Sequence, residues 1–313
     1  MGGTGGIFGG RFTPERMREM IRESQDKTQE AEFAEAVNLA LNDLLADYNN
    51  RDYDAVSSHL DEIKEIIEDE IGGSTIRLIF GGSVKKHTYV DGLSDVDVLV
   101  RVDKTELSAL PPKDILKFMH SKLQNQLSDV AKTKIGKMAV TIRFADDIEI
   151  QLVPALGAAD GIRLPATDGE AWSSIIRPEK FAEKLTRVNE SCGDKVVPVI
   201  KLAKGINSQS PSSTQLSGYH IESLAIEIFE SYPDSNVRAP KQMLEYFFSR
   251  APELVKMPIR DKTGQSLHVD DNLGPEHSTE RIRAAYTLDR VAKRMKDAEE
   301  IGSVEEWISI LGD

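Results

Sequence analysis

Residues 81 to 100 read GGSVKKHTYVDGLSDVDVLV. A glycine-rich turn precedes an Asp-x-Asp pair set in a run of valine and leucine, and this pairing decides the reading of the chain. In a strand, residues two apart project from the same face, so Asp95 and Asp97 point together while Val96 and Val98 point into a core. Two carboxylates so close repel strongly once desolvated unless a cation lies between them. A strand end emerging into solvent would also tolerate the pair. The upstream turn favours the cation: glycine lets a backbone approach a phosphate closely, and the Ser83 hydroxyl adds a donor. The polar VKKHTY segment can start a short helix whose free N–H groups face an anion. Magnesium takes one or two carboxylates together with phosphate oxygens, which joins the turn and the acids into one site.

The bulk properties leave room for such a site and exclude several others. A length of 313 residues suits two lobes, since domains commonly hold about 100 to 200 residues. The composition, 40% hydrophobic and 29% charged, is that of a globular protein, and no apolar run approaches the roughly 18 residues of a membrane span. The opening MGGTGGIFGG has neither the basic start nor the apolar middle of a signal peptide, so a cytoplasmic protein is expected. It also lacks the Gly-Lys-Ser/Thr ending of a phosphate loop, and residues 1–12 read as a flexible arm. The single cysteine, Cys192, cannot form an internal disulfide. A net charge of −13 argues against general affinity for nucleic-acid backbone.

Periodicity divides the chain. Thr13 is a candidate N-cap with Pro14 at the first helical position. From Glu15 to about Tyr48 there is neither Gly nor Pro, and Phe33, Ala36, Val37, Leu39, Ala40, Leu44 and Leu45 recur at helical spacing. A second helix is expected from Tyr53 to Glu70, closed by Gly72-Gly73. Strands follow at 75–80 and 96–102, a helix at 113–130, then strands at 137–144 and 148–153 joined by the turn Ala145-Asp146-Asp147. Pro154 is expected to end the last of these. Beyond about residue 165 the pattern is helical, at 178–191, 196–208, 218–231, 239–250, 278–297 and 303–311. The expected fold is therefore α+β: helices and a mixed-sheet core over 13–165, then an all-helical lobe over 166–313, with the long first helix bracing both. In ADDIEIQLVPAL, Glu149, Gln151 and Val153 share one strand face and Ile150 and Leu152 the other.

An apolar strand, Gly-Gly-Ser, about ten residues and then Ser-Asp-x-Asp resembles the signature of the DNA polymerase beta-like nucleotidyltransferase superfamily. LPATDGEAWSSIIRPEKFAEKLTRVN, PVIKLAKGINSQ, LSGYHIESLAIEIFE and HVDDNLGPEHSTERIRAAYTLDRVAKRM resemble, in the same order, segments of bacterial cGAS/DncV-like nucleotidyltransferases. These are the CD-NTase cyclases of anti-phage CBASS signalling. The likeness covers about residues 75 to 297. One departure is Ile206, where relatives often have Trp.

The resemblance implies roles residue by residue. Gly82 and Ser83 grip the nucleotide phosphates, Asp95 and Asp97 bind the catalytic metals (Mg2+ or Mn2+), and a third acid completes the site. Many relatives carry Asp where this chain has Gln151, so the third acid is Glu149 one pleat away, or is missing. Lys204 and Ser217 match a lysine and a serine that contact the donor triphosphate, and Lys201, three residues before Lys204, shares its helix face. Ser217 also suits an N-cap. Implied substrates are ATP and other nucleoside triphosphates, the implied product is a cyclic di- or trinucleotide second messenger, and an activating HORMA-type protein is an implied partner. Two rivals remain: the same chemistry on a protein, antibiotic or RNA acceptor, and a nucleotide-binding pseudoenzyme. His220 and Asp270 read as structural, and Trp172 as a core anchor.

Overall fold

The computed structural model describes residues 14–50, 52–71, 76–91, 95–166, 168–261 and 268–312. The glycine-rich arm, the Thr13 cap, the Gly72-Gly73 stop and Ser94 lie outside these residues. The first helix, α1 (Pro14–Tyr48), runs 35 residues as a single element. It buries Phe33, Val37, Leu41 and Leu45 at four-residue intervals, whereas Leu39, expected on the apolar face, is 64% exposed. Asp52 caps α2 (Tyr53–Glu70) by accepting from the Ala55 N–H.

Among the described residues six strands form one mixed sheet: β1 (Arg77–Phe80), β2 (Val96–Arg101), β3 (Val130–Ile135), β4 (Val140–Phe144), β5 (Glu149–Ala158) and β6 (Gly161–Arg163). The order is β1-β2-β5-β4-β3, with β6 paired to β5. β2 and β5 run parallel and the other pairs antiparallel. On one face α2 and α4 (Pro112–Gln126) cover Val96, Val98, Val100, Ile150 and Leu152. The opposite face carries Asp97 and Gln151, held side by side by the parallel register.

Three strand expectations need correction. The helix expected to Val130 stops at Gln126, and β3 follows it. The β3 residues are mostly solvent-facing, and Lys132 and Lys134 guard a sheet edge, so no apolar alternation announces the strand. The strand expected from Lys137 starts at Val140. Pro154 does not end β5, which continues to Ala158. The last β4 pair is Val140 with Leu152, so Pro154 lies beyond β4, where a missing N–H breaks no ladder bond. The turn at Ala145–Asp147 is present, with Asp147 at φ 66°.

The helical lobe comprises α5 (Pro178–Ser191), α6 (Val196–Ser208), α7 (Gly218–Phe229), α8 (Pro240–Leu254), α9 (Thr279–Ile301) and α10 (Val304–Ile308). Ser217, Ser278 and Ser303 cap α7, α9 and α10 through their hydroxyls. Pro252 sits in the last turn of α8, which extends four residues past the expected end. The apolar side chains fall into two cores. One joins α2, α4 and the sheet. The other joins the C-terminal helices and includes Phe33, Val37, Leu41 and Leu45 of α1, so the first helix packs with the helices that follow residue 165. Its end still reaches the sheet side, where the Asp91 N–H donates to the Tyr48 carbonyl at 3.1 Å.

Candidate active site

The turn after β1 is built around Asp97. The Gly81 N–H donates to the Asp97 carbonyl at 2.8 Å. Gly82 takes φ +45°, with its α-carbon against the Asp97 carboxylate. A one-turn helix, α3 (Gly82–Lys85), follows, and His87 at φ 57° redirects the chain. The Asp97 carboxylate accepts the Ser83 backbone N–H. Burial raises the Asp97 pKa, opposed chiefly by the charge of Lys86 and by that N–H.

Asp95 lies just before β2 and faces β5. Its Oδ2 accepts a short hydrogen bond from Gln151 Nε2. Burial first, then the charges of Glu149 and Asp97, push the Asp95 carboxyl up to about 6, and Glu149 also shares a hydrogen bond with it. Glu149, Gln151 and Val153 lie on the half-buried face while Ile150 and Leu152 are fully buried, as the alternation predicts. Glu149 and Gln151 thus both reach Asp95, one as a second acid and the other as an amide donor. Among the described residues no three carboxylate, imidazole or thiolate groups close a metal site by themselves. The donor chemistry nevertheless suits a hard divalent cation. Asp95 and Asp97 offer carboxylate oxygens whose mutual repulsion a cation would relieve, and magnesium habitually completes such a pair with phosphate oxygens and water.

Across from the acids stand α6 and α7. Between them and the turn lies a cleft of about 570 Å³ whose lining includes Ser83, Asp95, Asp97, Gln151, Lys204 and Ser217. The Ser217 hydroxyl accepts from the His220 N–H at 3.1 Å, which leaves its proton available to a ligand. Lys204 Nζ donates to Glu222 Oε1 and to the Thr88 carbonyl, both at 2.8 Å. Burial lowers the Lys204 pKa, while the two lysines beside Glu222 lower that acid's pKa against the effect of burial. Lys201 does not join the cleft. Its ammonium donates to Asn49 Oδ1 at 2.5 Å and sits 4.1 Å over the Tyr89 ring, bracing the end of α1.

Two site residues escaped the sequence reading. Lys86 follows the turn directly and lines the cleft. Glu222 is 1% exposed on α7 and bonds to Lys86, Lys204 and Thr88. Its signal was present: an acid on the buried face of YHIESLAIEIF requires a cationic partner. Of the structural assignments, His220 is buried against Asp270 at 3.3 Å, its pKa pushed down to about 4 by burial. Trp172 packs half-buried on the sheet core.

No protein-family model matches the chain, and no curated protein matches it significantly in sequence. Solved structures do match. CdnC of Escherichia coli MS115-1 with ATP superposes with a TM-score of 0.59 at 16% identity, over 91% of this chain and 97% of that one. The Vibrio cholerae DncV cyclic AMP-GMP synthase, in complex with the linear intermediate 5′ pppA(3′,5′)pG, gives 0.63 at 11% identity over 96% and 91%. The E. coli MS115-1 CdnC:HORMA-deltaN complex gives 0.56 at 17% identity over 83% and 91%. The fold is that of the cGAS/DncV-like nucleotidyltransferases along nearly the whole chain. No helix among the described residues is long and apolar enough to cross a membrane.

Proposed function

We propose that this chain is a divalent-metal-dependent nucleotidyltransferase that joins nucleoside triphosphates, ATP among them, into a cyclic di- or trinucleotide signal. The observation that carries the reading is the placement of Asp95 and Asp97, with Glu149 beside Asp95, across one cleft from Ser217 and next to the Gly82-Ser83 turn. Asp95, Asp97 and Glu149 would hold Mg2+ or Mn2+, which when bound neutralises charge on the carboxylates and on the reacting phosphate. Gly82 and Ser83 admit the triphosphate close to the backbone, and Ser217 meets it from the helical lobe. Glu149 draws the proton from an attacking ribose hydroxyl. The hydroxyl oxygen bonds to the α-phosphorus of a second nucleotide, the bond to the bridging oxygen breaks, and pyrophosphate leaves.

The cyclic product rests on fold likeness to DncV, a cyclic AMP-GMP synthase, and to CdnC. A role in anti-phage signalling, a HORMA-type activator and a cytoplasmic location extend the same likeness. Incubating the chain with labelled nucleoside triphosphates and magnesium or manganese, followed by phosphatase, tests it. A phosphatase-resistant product that vanishes in Asp95→Ala/Asp97→Ala supports the cyclase. Label on an added protein, antibiotic or RNA would show transfer instead, and tight binding without turnover would mark a pseudoenzyme.

A further inference from the structure

The cleft holds two lysines near the acids, and their surroundings divide their roles. Lys204 is 6% exposed, and its ammonium has three acceptors: the Thr88 carbonyl at 2.8 Å, Glu222 Oε1 at 2.8 Å and Thr88 Oγ1 at 3.2 Å. A lysine ammonium has three N–H donors, so this network consumes them all. The Thr88 hydroxyl spends its own proton on Glu222 Oε1 at 2.5 Å, which locks the arrangement. Lys86 stands differently. Among the described residues its ammonium meets one carboxylate, Glu222 Oε2, and the ring faces of Phe181 at 5.0 Å and Tyr219 at 5.3 Å. Aromatic faces attract a cation without using its N–H groups. Two donors therefore remain, on a side chain that lines the cleft and is the cation bearing most strongly on Asp97.

We infer that Lys86 is the cation that contacts the nucleotide's phosphates, that Glu222 and the Phe181 and Tyr219 rings position it, and that Lys204 is the buried counter-ion keeping Glu222 in place. This rests on the nucleotidyltransferase reading and revises its choice of lysine. Glu222 belongs to α7 of the helical lobe and Lys86 to the turn of the sheet lobe, so the pair also ties the lobes together beside the acids. Glu222 is a positioning residue here, acting on substrate through Lys86.

Titration of the full chain in magnesium with inorganic tripolyphosphate, a non-hydrolysable ATP analogue and AMP separates the roles. Lys86→Gln should weaken tripolyphosphate and the analogue about ten- to a hundredfold, as expected for a lost charge-assisted bond, and leave AMP nearly unchanged. Lys86→Gln also removes one of the two cations on the buried Glu222, so the melting temperature should fall as well, and Lys86→Arg should restore most of the loss in both readouts. Lys204→Gln should lower the melting temperature by several degrees, because it removes one of the two cations on a buried acid, and keep the preference for three phosphates over one, because Lys86 remains. The inference is overturned if Lys86→Gln keeps that preference, or if Lys204→Gln abolishes it in a protein that melts like the wild type. A wild-type chain that binds neither tripolyphosphate nor the analogue would sink the nucleotidyltransferase reading itself. Failure confined to the lysine variants would sink only the assignment of Lys86.

Discussion

Gly82 and Asp97 compete for one volume: a Cβ on Gly82 would fall inside the Asp97 carboxylate. The turn can pass so close to the acid only because residue 82 has no side chain and can take φ +45°. Gly82→Ala must therefore push Asp97 out of place or reopen the turn. Nucleotidyl transfer should fall about 100-fold or more, the scale expected when a catalytic group moves by about an ångström. A Cβ on the neighbouring Gly81 would meet Leu99 Cγ at 3.3 Å and the Asp97 carbonyl at an ordinary contact distance of 3.7 Å, so Gly81→Ala should retain far more activity than Gly82→Ala. Turnover of labelled ATP by the two variants, with melting curves to establish folding, checks the contrast.

The Asp95 carboxyl stands at about 6 in the folded protein against 3.8 for the ordinary side chain. Between those values the folded state holds a proton that the unfolded chain releases, so this group stabilises the fold as pH falls from 6 towards 3.8 and loses that contribution as pH rises through 6. Asp97, also raised by burial, acts in the same direction. Asp95→Asn should raise the melting temperature at pH 7.5 and flatten its pH dependence across this window. Activity runs the opposite way, because a protonated Asp95 is a poor ligand for a cation. In the wild type it should fall as the pH drops through the Asp95 pKa, and raising the magnesium concentration, which favours the charged carboxylate, should move that fall to lower pH. Melting curves of the two proteins and the pH–rate profile of the wild type test both signs.

Glu149 and Gln151 act on Asp95 in opposite directions: the acid raises its pKa and the amide, as a hydrogen-bond donor, lowers it. Glu149→Gln should therefore move the acid limb of the pH–rate profile to lower pH, and Gln151→Ala should move it higher. The amplitudes should separate as well. If Glu149 takes the hydroxyl proton as proposed, Glu149→Gln should cost about 100-fold or more, while Gln151→Ala should cost less than tenfold. Full activity in Glu149→Gln would overturn its assignment as the third acid.

The acids and the turn were legible because they break local rules. Two carboxylates in a valine run, and two glycines ahead of a serine, are conspicuous in sequence terms. The strand face shared by Glu149 and Gln151 followed from period 2 alone. What was hidden depends on partners far along the chain. Lys86 looks like any surface lysine until α7 brings Glu222 against it, 136 residues later. Lys201 and Lys204 share a spacing that fits one helix face, yet α1 and Asn49 draw the first behind the cleft. β3 was missed because an edge strand carries lysines where an inner strand carries valine. Pro154 misled because proline is forbidden by the neighbour a strand has, and sequence does not show that β4 is already finished.

Arg281 and Asp270 fasten the helical lobe, and both side chains are fully buried. Arg281 Nη1 donates to Asp270 Oδ2 at 2.7 Å and to the Val255 and Met257 carbonyls, and Nε donates to the Gly274 carbonyl at 2.9 Å. Arg281→Met leaves a buried carboxylate without its cation and three carbonyls without a donor. It should destabilise the protein by about 3–5 kcal/mol, the usual cost of breaking one side of a buried pair. Adding Asp270→Asn removes the stranded charge, so the double variant should be less destabilised than the sum of the two single changes. His220 supplies an independent readout. Arg281 lowers its pKa and Asp270 raises it, so Arg281→Met should lift His220 above its value of about 4 while Asp270→Asn lowers it further. Denaturant melts of the four proteins, with NMR titration of the His220 ring, test the cycle, and a His220 pKa unmoved in both variants would show that the pair does not govern this part of α7.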